Sequence, residues 1–227
     1  MPSVGVLYLI LLGSLTAQKQ ETPALDSVLE KMDAAAAHFQ SAQADFVWMQ
    51  YQKVVDEKDT QTGTVYYRRA ANDIEMMAEI KDPDRKFVLY KDGKLQVYQP
   101  KIDQVMDYST GSNRSDVEGY LVLGFGGSGQ ALKKSFEVTY GGEETIDGIR
   151  TGRLQLVPNS EKFRNNITKI FLWIDLNKGI SVQQQFMQSQ GDYRLAKYSN
   201  IQINAKIGNN VFQLKTTKET QFLSPRG

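Results

Sequence analysis

The stretch TQTGTVYYRRAANDIEMMAEIKDPDRKFVLYKDGKLQVYQPKIDQVMDY, Thr60 to Tyr108, decides the fold. It reads as five consecutive short strands: Thr64 to Arg69, Asp73 to Ile80, Lys86 to Tyr90, Leu95 to Gln99 and Gln104 to Tyr108. Turn residues separate them, at Ala70-Ala71-Asn72, Asp82-Pro83-Asp84, Asp92-Gly93 and Pro100 to Asp103. Short strands punctuated at such intervals predict a meandering antiparallel sheet. Ile74, Met76, Ala78 and Ile80 alternate with Glu75, Met77 and Glu79, which assigns one face to the interior.

Working outward, Ala44 to Val54 is a long strand with large apolar groups on both faces. Phe46 and Trp48 are assigned to the interior. Val47, Met49 and Tyr51 are expected to meet a helix. That helix spans Thr22 to Phe39, with Thr22 as cap, Pro23 in the first turn, and Leu25, Val28, Leu29, Met32, Ala35, Ala36 and Phe39 on one apolar face. After Tyr108 the pattern breaks. Asp116 to Leu123 reads as a short helix capped by Ser115, then comes GFGGSG from Gly124, then a second short helix from Gln130 to Lys134. Tyr120, Leu121, Leu123 and Phe125 are too apolar for a solvated loop, so they are expected to cover the open end of the sheet as a lid. Strands resume at Phe136 to Tyr140, Arg150 to Pro158, Ile167 to Asp175, Ile180 to Gln188 and Tyr193 to Asn204, with Val211 to Leu214 as a candidate last edge. The expected architecture is mainly β: about eleven strands in an unclosed antiparallel barrel, with an N-terminal helix and a short helical lid.

Composition narrows the function. At 227 residues, 41% hydrophobic and 23% charged, the chain fits one globular all-β domain. A net charge of +1 gives no field to gather phosphate polymers, so no nucleic acid is expected. The absence of cysteine excludes disulfides, thiolate metal sites and thiol catalysis. The apolar run Val4 to Leu12, followed by small residues to Ala17, reads as a secretory signal peptide over residues 1–17, leaving 18–227 as the mature domain. A buried N-terminal segment and a membrane anchor are the alternatives. The run is short of the roughly 20 residues that span a bilayer, no Lys or Arg precedes it, and Leu15 stands where a small residue is usual before a cut.

Several patterns have a functional reading beside a plainer one. The literal G-x-G-x-x-G at Gly124, Gly126 and Gly129 lacks the strand-to-long-helix context of a dinucleotide site and reads as a hinge. His38 is the only histidine and sits at a helix end, where a capping role is ordinary. One histidine without cysteine leaves only carboxylates as metal ligands, and no loop has calcium spacing. Glu143-Glu144 and Asp82 with Asp84 sit in turns, where solvated acids are common. No metal, no cofactor and no catalytic group are expected. Arg68-Arg69 ends a strand, either as a solvated edge or as a multi-donor hook for a lid or a polar head group.

The ordered set GTVYYRR (Gly63 to Arg69), Asp92-Gly93-Lys94 with Tyr98, Pro100 and Gln104-Val105, LWID (Leu172 to Asp175), and GDYR (Gly191 to Arg194) leading to Asn200-Ile201 resembles the periplasmic outer-membrane lipoprotein carriers, the LolA-like lipoprotein-sorting proteins. The resemblance covers nearly the whole mature chain. It implies an unclosed barrel plugged by helices, carrying the acyl chains of a lipoprotein through the periplasm. The cargo passes from an inner-membrane lipoprotein-releasing transporter to an outer-membrane acceptor, and the carrier acts as a monomer without enzymatic activity. It also implies that Arg69 latches the lid and governs release, although this chain has Ala70 where the family commonly has proline. The cavity is expected to be lined by Phe46, Trp48, Ile74, Met76, Leu89, Leu95 and Val97. Met49, Met76, Met77 and Met106 suit chains of variable shape. Two other readings stand beside the carrier: an envelope lipid-sensing or regulatory binding module on the same fold, and an enzyme acting on a hydrophobic substrate.

Overall fold

The structure, a computed structural model, describes residues 22–70, 73–109, 121, 123 and 125–224. The segment read as a signal peptide, Tyr120, and most of the helix expected over Asp116 to Leu123 lie outside them. One twelve-stranded sheet makes the molecule. Its strands are β1 (Ser41–Gln52), β2 (Glu57–Ala70), β3 (Asp73–Asp82), β4 (Lys86–Lys91), β5 (Lys94–Gln99), β6 (Gln104–Ser109), β7 (Phe136–Ile146), β8 (Ile149–Pro158), β9 (Ile167–Asp175), β10 (Ser181–Gln188), β11 (Tyr193–Ile203) and β12 (Gln221–Leu223). Among the described residues run the helices α1 (Thr22–Ala37), α2 (Gly129–Ser135) and α3 (Glu161–Arg164), and Leu121 is helical as well.

The strand order is β12-β6-β5-β4-β3-β2-β1-β11-β10-β9-β8-β7. Two meanders, β1 to β6 and β7 to β11, are joined where β1 pairs with β11. The outer strands β7 and β12 do not pair with each other, so the barrel is unclosed. The chain between β6 and β7 leaves the sheet beside one edge and re-enters at the opposite edge, so it has to cross a face. Leu121, Leu123 and Phe125 pack into the apolar clusters of the concave face and mark the face it takes.

The helix α1 occupies the other half of that same face. Val28, Leu29 and Met32 are buried with Leu154, Leu156, Ile170, Leu172 and Ile174, at the helical spacing that builds one apolar stripe. Each such side chain contributes about 1.5–3 kcal/mol when fully buried. Gly179 (φ +66°) makes the docking possible, since a Cβ there would lie 2.2 Å from the Lys31 carbonyl oxygen. The helix therefore does not lie on the Val47 face of β1. Val47 is exposed, and Tyr51 packs instead against its cross-strand neighbour Tyr193, with ring centroids 5.0 Å apart and the planes tilted by 39°. A strand with large side chains on both faces can bury one face in the core and cover the other by lateral aromatic pairing.

The C-terminal chain also departs from the sequence reading. Asn209–Phe212 is a 3-10 turn where an edge strand was expected over Val211 to Leu214. It straps the convex face, and Phe212 is buried against Met77 and Leu89. The chain then adds β12 parallel to β6. Asp103, in left-handed conformation (φ +46°), anchors this return by accepting hydrogen bonds from Tyr98, Thr217 and Thr220.

Candidate functional site

Register builds the concave face of the first meander in rows. One row runs Ala44, Val65, Ala78, Val88, Val97 and Met106 from β1 to β6. The row beside it runs Ala42, Tyr67, Met76, Tyr90, Leu95 and Tyr108. On the other side stand Phe46 and Trp48, stacked at 4.1 Å between centroids, with Ile80 across the sheet. A floor of mostly small residues between rows of large ones is a trough. Period-two alternation and antiparallel pairing produce it from the choice of side-chain size alone.

The trough is filled by the chain itself. Phe125 is 1% exposed and lies against Tyr67 (5.3 Å) and Tyr198 (5.1 Å, edge-on). The next residue, Gly126 (φ +81°), lies directly against the Phe39 ring, so close that a Cβ there would come within 2.5 Å of it. At the bottom lie two buried phenols, Tyr67 and Tyr198, side by side, with Trp48 next to Tyr198. Burial pushes the Tyr198 phenol up to about 12 and holds Tyr67 well above the ordinary tyrosine range. The trough is thus aromatic and neutral.

Of the expected lining residues, Phe46, Trp48, Ile74, Met76, Leu95 and Val97 share this face. Leu89 does not. It pairs with Met77 and Gln96 and packs under the strap with Phe212, because Val88 and Tyr90 hold the inward phase of β4. Tyr67, Tyr90, Ala44, Val65 and Tyr198 belong to the trough, and the sequence reading does not single them out. The phase of β2 was readable from Val65 and Tyr67. The phase of β11 was not, because the register between β1 and β11 shifts between Gln43 and Asp45.

Arg69 and Arg68 point to opposite faces. On the concave side, Arg69 donates to the Ala36 carbonyl (3.4 Å), and its guanidinium lies 5.8 Å from the Phe39 ring centroid. Its described contacts are with the end of α1. The path from there to the crossing connection runs through Phe39 and Gly126. Arg68 binds Glu75 and Asn209 and lies 4.4 Å over the Phe212 ring, pinning the strap. Lys91 is the second cation on Glu75, at 3.0 Å.

Among the described residues, clefts lie elsewhere as well, and two are defined by their lining. One, of about 610 Å³, opens where β11 runs on past its pairing with β10, and is bordered by Asp45, Asp175, Lys178 and Asn200. The other, of about 180 Å³, lies between the strap and Tyr66, Met77 and Phe87.

No family model matches the sequence, and no curated protein matches it. Solved structures do. An uncharacterized conserved protein from Thermus thermophilus is similar at TM-score 0.56 and 10% identity, over 88% of this chain and 99% of that one. MucB is similar at TM-score 0.55 and 15% identity, over 88% of this chain, which spans 65% of the MucB chain, just under two thirds. The Mycobacterium tuberculosis lipoprotein LppX is similar at TM-score 0.53 and 14% identity, over 82% of this chain and 98% of that one. At these identities the likeness is one of fold alone: the unclosed twelve-stranded sheet of this chain resembles the folds of these three proteins.

Proposed function

We propose that this protein is a non-enzymatic carrier of acyl chains, working in the periplasm after export through residues 1–17. In this reading the mature domain, 18–227, acts as a monomer. It takes a lipoprotein or lipid from an inner-membrane lipoprotein-releasing transporter and hands it to an outer-membrane acceptor. The observation that carries the reading is the burial of Phe125 in an aromatic trough floored by Ala44, Val65 and Ala78. A segment that fills an apolar site from above is a built-in competitor for any apolar ligand. It lowers affinity by the closed fraction and so permits release. An acyl chain needs only apolar area, at about 25 cal/mol per Å² buried, and the trough offers that. Leu121, Leu123 and Phe125, with Tyr120 before them, would be the lid. Arg69 would hold it shut through Phe39 and the end of α1. Mass spectrometry of the organic-solvent extract of the purified protein tests this reading, together with transfer of a labelled lipoprotein to acceptor vesicles. Acylated species in the extract and transfer above the spontaneous rate are expected; an empty extract with no uptake of added lipid refutes it.

A regulatory binding module is the second reading, favoured by the cleft at β11. Ser199 to Ile203 continue past the last pair with β10, leaving room for an extended peptide beside a strand edge. Lipid uptake without any transfer to acceptor vesicles would favour it.

A further inference from the structure

One row of cross-strand partners on the concave face runs Trp48, Ala196, Gln184, Leu172 and Leu154, from β1 across β11, β10 and β9 to β8. Four of the five are apolar. The fifth, Gln184, is 4% exposed, and its Nε2 has no hydrogen-bond partner. A buried amide N–H left unbonded is destabilising, and native interiors hold few of them. A leucine would fill the same place in the row with no such penalty. Gln184 also stands at the seam of the two apolar clusters, with Ala196 of the trough on one side and Leu172 of the α1 half on the other.

We propose that Nε2 of Gln184 is the donor for the carbonyl oxygen of an acyl ester or acyl amide, so that the site selects O- or N-acyl chains over plain hydrocarbon. The inference rests on the carrier reading and names the ligand chemistry within it. From β10 to β4 is five strand intervals, about 24 Å along the sheet. On β1 the row of Gln184 meets Trp48, four residues along the strand from Ala44, so a chain that runs obliquely across the sheet past Phe46 and Tyr198 puts its carbonyl end toward β10 and its methyl end toward the floor row of Ala44, Val65, Ala78 and Val88. The ligand supplies the acceptor that the protein lacks. Hydrocarbon of the same length leaves the amide unbonded and gains only apolar area. Selection of this kind, by a buried polar group left unpaired with the wrong ligand, discriminates better than shape alone.

The test uses two probes that differ by one carbonyl oxygen, methyl palmitate and methyl hexadecyl ether, each displacing a polarity-sensitive fluorophore from the full-length mature protein. The wild type is expected to bind the ester about five- to tenfold more tightly, the range of one neutral hydrogen bond. Gln184→Leu is expected to bind both equally, with a thermal midpoint equal to or above the wild type. Gln184→Met is the second variant should the branched side chain prevent folding, and it carries the same expectation. Equal binding of the two probes by the wild type overturns the inference, as does a preference for the ester that survives in the variant. Either result leaves the carrier reading standing. Binding of neither probe by the wild type refutes the carrier reading, and this inference falls with it.

Discussion

Phe125 meets Tyr198 edge-on, with ring centroids 5.1 Å apart and an interplanar angle of 68°. One ring belongs to the connection between β6 and β7 and the other to β11, at the centre of the sheet. The contact closes the trough and ties its opening to the breaking of a defined aromatic pair, a geometry worth about 0.5–1.5 kcal/mol beyond area burial.

Phe125→Ala is expected to loosen this closure. A fixed core phenylalanine costs about 3–5 kcal/mol on truncation, but a segment that also has an open state should lose less, about 1–3 kcal/mol in the lipid-free protein. Acyl-probe affinity should rise, and added lipid should restore the thermal midpoint. Amide exchange over Ser115 to Lys134 should accelerate in the loaded wild type, because ligand displaces the segment. Equal exchange in free and loaded protein would identify a fixed plug.

Met76→Glu puts a carboxylate into the wall of the trough, where Met76 is 5% exposed between Tyr67 and Tyr90. An unpartnered charge is costly there. Acyl-probe binding should fall by about tenfold or more while circular dichroism still reports the sheet. Unchanged uptake by the folded variant would remove this face from the ligand site.

The buried phenol of Tyr198 makes stability pH-dependent at the alkaline end. Its folded value of about 12 exceeds the ordinary 10.0, so the folded state holds the proton longer than the unfolded chain. Stability from this source is complete below about pH 10 and is lost as pH rises to about 12, a change of roughly 3 kcal/mol. Chemical denaturation at pH 8 to 11, read with tyrosinate absorbance, should show the decline. Tyr198→Phe should reduce it, and the part that remains belongs to Tyr67, whose phenol burial also raises. A flat wild-type profile would mean that the phenol is reached by solvent.

Arg69→Leu should bind lipid as well as the wild type or better and transfer it poorly, because its bond to Ala36 and its place over Phe39 steady the closed form. Arg68→Leu should leave transfer intact and cost stability, about 1–3 kcal/mol, because Glu75 is buried and loses one of its two cations. Transfer blocked by the Arg68 change and spared by the Arg69 change would put the latch on the wrong residue.

The sequence by itself determined β1 to β11, because each carries its own period-two pattern and its own turn residues. Ile167 to Asp175 stands where the alternation put it, and the strands from β2 to β6 differ from their readings mainly at the ends. It also determined that Arg68 and Arg69 part to opposite faces, since that follows from adjacency in any strand. Only the tertiary structure decided which face of β4 is inward. Phe87 and Leu89 are as apolar as Val88 and Tyr90, and the pairing of Met77 with Leu89 beneath Phe212 sends Leu89 outward. It alone placed α1 on the concave face, turned the segment expected as an edge strand into a strap, and brought Gln184 between Ala196 and Leu172. These are long-range pairings, and a local pattern fixes how a strand alternates without fixing what it will lie beside.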